Sequence, residues 1–202
     1  MMTNLPSKLL SEAVEEIASL PGVGRKTALR LALHLLKQPV DQVNRFSAAI
    51  VRMRTELYRC RICNSISDAS ICTICSDPSR DASTICVVES IREVMSIENT
   101  MQYNGLYHVL GGIISPIEGV GPSDLAIEEL QERAAHSGVR EVILALSTTM
   151  EGETTGYYLY KKLSACNVLV SIIARGVSFG DEIEYADEIT LGRSIKNRQP
   201  FV

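Results

Sequence analysis

The sequence has no hydrophobic run long enough to cross a membrane. Its longest nearly apolar stretches, residues 167–174 and 142–146, fall far short of the roughly 18 residues that a membrane-spanning helix needs. The first ten residues lack the basic flank, apolar centre and cleavage site of an export signal. Hydrophobic residues make up 46% of the 202 residues, which excludes intrinsic disorder. We therefore expect a folded, soluble protein of the reducing cytoplasm.

The net charge of −4 is distributed unevenly along the chain. Residues 1–59 carry nine Lys and Arg against five Asp and Glu, residues 60–80 are neutral, and residues 81–202 carry nine basic against 17 acidic residues. A basic N-terminal part indicates a polyanion site only weakly, because such a charge is common on solvated helices.

The N-terminal part has the apolar spacing of three amphipathic helices. Apolar residues recur at intervals of three and four over 9–20, 28–36 and 43–57. Pro21 ends the first run and Pro39 ends the second. The pattern predicts a small helical unit over residues 1–59.

A glycine-rich turn, Leu20-Pro21-Gly22-Val23-Gly24-Arg25-Lys26-Thr27, joins the first two predicted helices in the layout of a helix-hairpin-helix. Glycines let the backbone approach a phosphate, and the unpaired N–H groups at the start of a helix point at it. Such contacts are independent of base sequence and sensitive to salt. The alternative is an ordinary turn between packed helices. The predicted DNA-binding residues are Gly22, Val23, Gly24, Arg25, Lys26 and Arg30.

Four cysteines follow, as Cys60-x2-Cys63 and Cys72-x2-Cys75. Two such pairs can close a tetrahedron of thiolates around one Zn²⁺, which leaves no open position and makes the metal structural. The alternative is two incidental thiol pairs or disulfides. The segment has few large apolar residues, so we expect zinc to hold it together.

Few charges accompany the cysteines. Arg61 and Arg80 are balanced by Asp68 and Asp77, which favours a spacer over a DNA-reading finger. Cys86 and Cys166 lie in apolar surroundings farther along the chain and are predicted to be buried core thiols.

The remainder alternates between apolar runs and helical patterns. This alternation predicts a mostly parallel α/β sheet. The predicted buried strands cover 84–88, 107–110, 141–146 and 168–174, and the predicted helices cover 91–101, 123–136 and 154–165. Residues 111–122 contain four glycines and two prolines, which favours a long surface loop over a dedicated binding loop.

Three carboxylates are placed at the carboxyl edge of this predicted sheet. Glu89 follows the first strand, and Glu151 and Glu153 follow the third, just before a predicted helix. Converging carboxylates hold Mg²⁺ and support phosphoryl chemistry. The alternative is that Glu151 and Glu153 only occupy a helix N-terminus, where negative side chains are favoured.

The segment 147–153 resembles the strand-end motif of Toprim domains, in which an Asp-x-Asp pair and an arginine precede Glu-Gly-Glu. Ser147, Thr149 and Met150 stand in those places here. The resemblance therefore implies a Toprim fold with its catalysis disabled, since too few acidic ligands remain for a two-metal centre.

The order of parts resembles the RecR family of bacterial recombination mediators across nearly the whole chain. The strings that carry it are LPGVGRKTALRLALHLL, CRIC, CTIC, SRDASTICVVES, YHVLGGIISPIEGVGPSDL, EGETTGYYL and ADEITL. The chain departs from the family near Ile172, where an arginine is usual, and near Ser178, where a proline is usual. Any role of those two positions is left open.

The resemblance implies an α+β chain in three parts: a helical helix-hairpin-helix domain over 1–59, a four-cysteine zinc finger over 60–78, and a Toprim-like α/β domain with a C-terminal extension over 79–202. It further implies a DNA-repair factor that is not an enzyme and that works with RecO and RecF to place RecA on single strands coated by single-strand-binding protein. A ring-shaped homotetramer without membrane contact is expected. The alternative is a Mg²⁺-dependent Toprim nuclease or strand-transfer enzyme.

Overall fold

Three helices form the N-terminal part of the chain in this computed structural model, which describes residues 5, 7–136, 138–174, 176–177, 180 and 182–198. They are α1 (Lys8–Ala18), α2 (Arg25–Leu36) and α3 (Val40–Glu56). The three-helix prediction is confirmed. Residues 1–57 form one compact unit and residues 58–202 a second one, while the finer division into three domains stays a prediction.

The core of the first unit lies between α1 and α2. Val14, Ala28 and Ala32 are buried there, and the two alanines let the helices pack closely. Helix α1 begins where the Ser7 hydroxyl accepts a hydrogen bond from the Leu10 amide at 3.4 Å. Helix α3 has no buried residue, and its apolar Phe46 remains about half exposed.

The second unit begins with the cysteine segment. Its two short strands, β1 (Tyr58–Arg59) and β2 (Ile66–Ser67), pair antiparallel, and a single helical turn, α4 (Thr73–Ser76), follows. No helix among the described residues combines the length and the apolar character needed to span a membrane.

A parallel four-stranded sheet forms the rest of the second unit. The strands lie in the order β4-β3-β5-β6, and every pair is parallel, as predicted. The strands are β3 (Asp81–Val88), β4 (Gly105–Val109), β5 (Glu141–Leu144) and β6 (Leu169–Ile172). The helices are α5 (Ile91–Asn99), α6 (Ile127–Ala135), α7 (Met150–Leu163) and α8 (Glu188–Lys196).

The sheet buries apolar side chains on both faces because strand residues alternate. Along β3, Ile85 and Val87 join the cluster packed with α6 and α7, whereas Cys86 and Val88 join the cluster packed with α5. Cys86 is buried, as predicted. Cys166 is only half-buried, because it lies in the turn after α7.

Three other predictions need correction. Strand β6 is not buried: it is the edge of the sheet, and Leu169 is 64% exposed. Helix α7 begins at Met150, four residues earlier than predicted, because the Thr149 hydroxyl caps it. The loop 111–122 is not wholly on the surface, since Ser115 is buried and the Ile114 amide donates to the Thr155 hydroxyl at 2.9 Å.

One histidine is buried in the sheet without a neighbouring carboxylate hydrogen-bonded to it. His108 on β4 is fully buried, and its Nε2 lies 2.6 Å from the Ala126 carbonyl oxygen, so Nε2 carries the proton. Burial lowers the pKa of His108 to about 4, and the charge of Arg133 acts in the same direction.

We predict that the His108 imidazole stays neutral at about pH 5.5 in the folded protein. Its pKa lies below the value of about 6.5 in an unfolded chain, so the unfolded state takes up the proton first. The stability it contributes is complete above about pH 6.5 and is lost as the pH falls towards 4. Imidazole nitrogen chemical shifts followed against pH measure this directly. A His108 midpoint near 6.5 would contradict the buried, neutral assignment.

Candidate metal centre and nucleic-acid interface

The four cysteines meet in one cluster. The Sγ atoms of Cys60, Cys63, Cys72 and Cys75 all lie within 4.8 Å of one another, and no other group of three or more His, Cys, Asp or Glu side chains in the described part of the chain does so. The 3.6 Å between Sγ of Cys63 and Sγ of Cys72 is close to the edge of about 3.8 Å expected for a tetrahedron with 2.3 Å Zn–S bonds. The predicted structural zinc site is therefore confirmed.

The electrostatics of the cluster favour a divalent cation. The pKa of Cys63 is lowered to about 5, and the largest cause is the hydrogen bond that the Cys75 thiol donates to it. That same hydrogen bond raises the pKa of Cys75, and burial raises that of Cys72. The thiols alone thus favour one thiolate, and Zn²⁺ supplies the charge that lets all four ionise.

Backbone amides also support the thiolates. The Cys72 amide donates to Sγ of Cys60 at 3.3 Å, and the Cys75 amide donates to Sγ of Cys72 at 3.4 Å. Asn64 closes the first cysteine pair with a left-handed backbone, φ +59°, a conformation that asparagine tolerates better than most residues.

The zinc segment covers the outer edge of the sheet. The Val109 amide of β4 donates to the Cys63 carbonyl at 2.8 Å, and the Asn64 side-chain amide donates to the Val109 carbonyl at 2.8 Å. Ile74 packs against both the cysteine cluster and the β4 side of the core. The metal site is therefore continuous with the sheet.

Arg80, one of the few cations near the finger, has a structural partner. Its guanidinium binds both carboxylate oxygens of Glu98, and the Tyr107 hydroxyl donates to the same carboxylate at 2.7 Å. Arg80 holds the pKa of Glu98 below its usual range. This agrees with a spacer role for the finger.

We predict that Cys63→Ser unfolds the cysteine segment and lowers the thermal midpoint of the second unit. Structural zinc in finger peptides is worth about 10–16 kcal/mol, and here the loss also frees the β4 edge. Zinc content and hydrogen exchange at Val109 measure both effects. Cys86→Ser is the matched control, because Cys86 is buried away from the metal. Protection of Val109 unchanged after zinc removal would contradict the coupling.

The glycine turn is open to solvent. Gly22 has φ +79°, which a residue with a side chain adopts only with strain, and a Cβ at Gly22 or Gly24 would meet nothing within 4 Å. Gly24 begins α2 without a side-chain cap, so no side chain covers the N–H groups of its first turn. Arg25 and Lys26 are both exposed.

The predicted cations of this turn differ in their surroundings. Arg25 forms an ion pair with Glu15 of α1, with 3.4 Å between its Nη2 and the carboxylate. Lys26 and Arg30 form no ion pair with any residue that the structure describes. The Glu15 contact has no local sequence signal, because the two partners are ten residues apart.

The carboxylates at the sheet edge do not form a cluster among the described residues by the 4.8 Å criterion. Glu89 accepts a hydrogen bond from the Ser147 amide at 2.6 Å. Glu153 lies 3.6 Å from a guanidinium nitrogen of Arg193 on α8. Glu151 and Glu153 occupy the first turn of α7, where acidic side chains are favoured, rather than preceding the helix as predicted. These residues do not fit a Mg²⁺ site.

Gly152, between the two glutamates, has a structural role that the sequence analysis missed. A Cβ at this position would lie 2.2 Å from the Ser147 carbonyl oxygen. The turn from β5 into α7 therefore passes so close to the helix that only glycine fits. The sequence feature that indicates this close approach is the glycine within the Glu-Gly-Glu string.

We predict that Gly152→Ala destabilises the second unit by about 1–3 kcal/mol, the usual range for an overpacked site. Gly156→Ala, one helical turn later, is the matched control. Its Cβ would meet Leu146 at 3.8 Å, an ordinary contact, so the change raises stability by up to about 1 kcal/mol through helix propensity. Denaturant unfolding measures both. Equal effects of the two substitutions would contradict the close approach.

The two units together define a chain of the helix-hairpin-helix, zinc-finger and Toprim type. Family models match it in this order: RecR helix-hairpin-helix at residues 10–54, RecR zinc finger with four cysteines at 57–77, Toprim domain at 83–174, and RecR C-terminal at 176–199. The chain belongs to the RecR family, as the resemblance implied.

Curated relatives cover nearly all of the chain. The Recombination protein RecR of Porphyromonas gingivalis is 62% identical over 201 residues, which is 100% of this chain and 97% of that protein. Proteins with the same name from Parabacteroides distasonis and Flavobacterium johnsoniae are 60% and 57% identical and cover 100% and 96% of this chain, and 97% and 95% of their own length. Of the two departures from the family, Ile172 ends the exposed strand β6, and Ser178 lies outside the described residues.

Proposed function

We propose that this protein is a non-catalytic DNA-binding recombination mediator in DNA repair. It acts with RecO and RecF to load RecA onto single-stranded DNA coated by single-strand-binding protein. The relatives carry the name Recombination protein RecR, which supports the recombination role. The observation that carries the DNA-binding part is the exposed glycine turn with uncapped amides and the unpaired cations Lys26 and Arg30 beside it.

Binding at this turn is expected to be independent of base sequence. Main-chain amides at Gly22 and Gly24, with the nearby cations, address phosphate oxygens, and phosphates carry no sequence information. The Val23 amide donates to the Leu20 carbonyl at 3.1 Å, so Val23 helps to shape the turn. The cations release counterions from DNA when they bind, so affinity falls as salt concentration rises.

The absence of catalysis is part of the proposal. The Glu89 carboxylate accepts a hydrogen bond from the Ser147 amide, and Ser147 and Thr149 stand where a Toprim enzyme would have acidic residues. The zinc site has four protein ligands and no open position for a reacting water. These observations favour a mediator over the alternative nuclease or strand-transfer enzyme.

A homo-oligomer, a ring tetramer by resemblance, is also proposed. Helix α3 presents apolar side chains that stay exposed within the chain, including Phe46, Ile50 and Met53, and such a face suits a contact with a second copy. Several weak phosphate sites held in one assembly gain affinity through effective concentration.

We predict that Lys26→Gln combined with Arg30→Gln weakens DNA binding tenfold or more at low salt and reduces its salt dependence. Each lost contact removes about 0.9 from the slope of log affinity against log salt on duplex DNA, or about 0.7 on single strands. Fluorescence anisotropy with oligonucleotides of mixed sequence measures this. Arg45→Gln combined with Arg52→Gln, on α3, removes the same formal charge elsewhere and is the control.

The alternative enzyme is tested with the same preparation. Plasmid DNA incubated with the protein and Mg²⁺ or Mn²⁺ is expected to remain uncut. Cleavage that Glu89→Gln abolishes would overturn the non-catalytic assignment. An unchanged DNA affinity and salt slope in the Lys26 and Arg30 variant would instead remove the glycine turn as the DNA site.

A further inference from the structure

Helix α2 carries a longer stripe of cations than the turn requires. Lys26, Arg30 and Lys37 are separated by four and seven residues and are all exposed. At 3.6 residues per turn, the three positions fall within about 40° of one another around the helix axis. Eleven residues at 1.5 Å each give the stripe a length of about 16 Å.

The charge of this stripe is not neutralised within the chain. Helix α2 contains no acidic residue, and none of the three cations forms an ion pair with a described residue. Arg25 differs, because Glu15 lies 3.4 Å from its guanidinium. The available positive charge therefore extends along α2, away from the turn.

The surface between these cations has a shape and chemistry that suit a nucleic-acid backbone. A shallow groove of about 620 Å³ follows α2 and is lined by the three cations together with Thr27, Leu29 and Leu33. A phosphodiester chain alternates charged phosphates with less polar sugars. The cations suit the phosphates, and the leucines offer apolar contact to the sugars between them.

We infer that the DNA backbone runs along α2 from the glycine turn to the C-terminal end of the helix, where Lys37 binds a further phosphate. Phosphates of one duplex strand recur every 3.4 Å along the duplex axis, so a stripe about 16 Å long passes several phosphates and one lies within reach of each cation. This inference rests on the proposed DNA-binding function and adds Lys37 to the residues that contact the backbone.

Lys37 also has a purely structural explanation, which the test must separate. It follows the last residue of α2, and a positive side chain there is favoured by the helix dipole. A structural role changes the thermal midpoint of the protein. A phosphate contact changes the dependence of DNA affinity on salt.

The experiment compares Lys37→Gln with Lys8→Gln in the full chain. Lys8 lies on α1 in an exposed pair with Glu12, so the control removes the same charge. Affinity for single-stranded and duplex oligonucleotides is measured by anisotropy over a series of salt concentrations. We expect Lys37→Gln to weaken binding about three- to tenfold at low salt. The slope of log affinity against log salt falls by about 0.9 on duplex and about 0.7 on single strands for each copy that contacts DNA. Lys37→Arg keeps the charge and restores both the affinity and the slope.

A second measurement uses the unmodified protein, so that it does not depend on folding of a variant. An amine-reactive reagent is applied with and without DNA, and modified lysines are quantified by mass spectrometry. Protection of Lys26 and Lys37, but not of Lys8, supports the backbone path.

The outcomes separate this inference from the proposed function. The path along α2 is overturned if Lys37→Gln and Lys8→Gln have the same slope of log affinity against log salt, and if DNA does not protect Lys37 from the reagent. If Lys26→Gln still has a lower slope than Lys8→Gln when Lys37→Gln does not, binding at the turn is retained without the path along α2. If Lys26→Gln also matches Lys8→Gln, the proposed function fails with it.

Discussion

The tetrathiolate zinc site is the interaction on which the second unit depends most. The segment from Cys60 to Cys75 contributes few large apolar side chains, so its order comes from the metal. It passes that order to the sheet through two hydrogen bonds to Val109 of β4. Without them the backbone amide and carbonyl of Val109 would be unpaired at this edge, whereas the Gly105 and Tyr107 carbonyls accept from Arg80 and Arg133. The zinc segment therefore covers the Val109 end of the sheet edge and belongs to the same compact unit as the sheet.

A second constraint acts at the carboxyl ends of the β3 and β5 strands. The turn after β5 approaches α7 so closely that Gly152 cannot carry a side chain, and the Glu89 carboxylate ties the Ser147 amide. In this arrangement one acidic residue of the sheet edge, Glu89, holds a backbone turn in place. Glu89 is a poor candidate for a magnesium ligand because no cluster of carboxylates forms around it among the described residues.

Much of the fold followed from local patterns. Helical spacing, the paired cysteines and the alternation of strands with helices each depend on residues close in sequence, and these predictions were confirmed. Contacts between distant residues carry no such pattern. Nothing in the sequence indicates that Asn64 bonds to Val109, that Glu15 pairs with Arg25, or that the strand at Leu169 lies at the edge. The start of α7 was misplaced because the capping role of Thr149 was not recognised.

The charges of the N-terminal unit show why a count of basic residues locates a binding surface poorly. Arg25 and Lys26 are adjacent and carry the same charge, but Arg25 is paired with Glu15, whereas Lys26 forms no ion pair with a described residue. Attraction to phosphate depends on the charge that remains after such pairing and on its arrangement at the spacing of the polymer. Helix α2 lacks acidic residues and keeps its unpaired cations on one side, so a modest excess of positive charge is enough to attract phosphate there. In the proposed assembly each copy binds DNA weakly, and we expect repetition of the unit to make the contact with DNA persist.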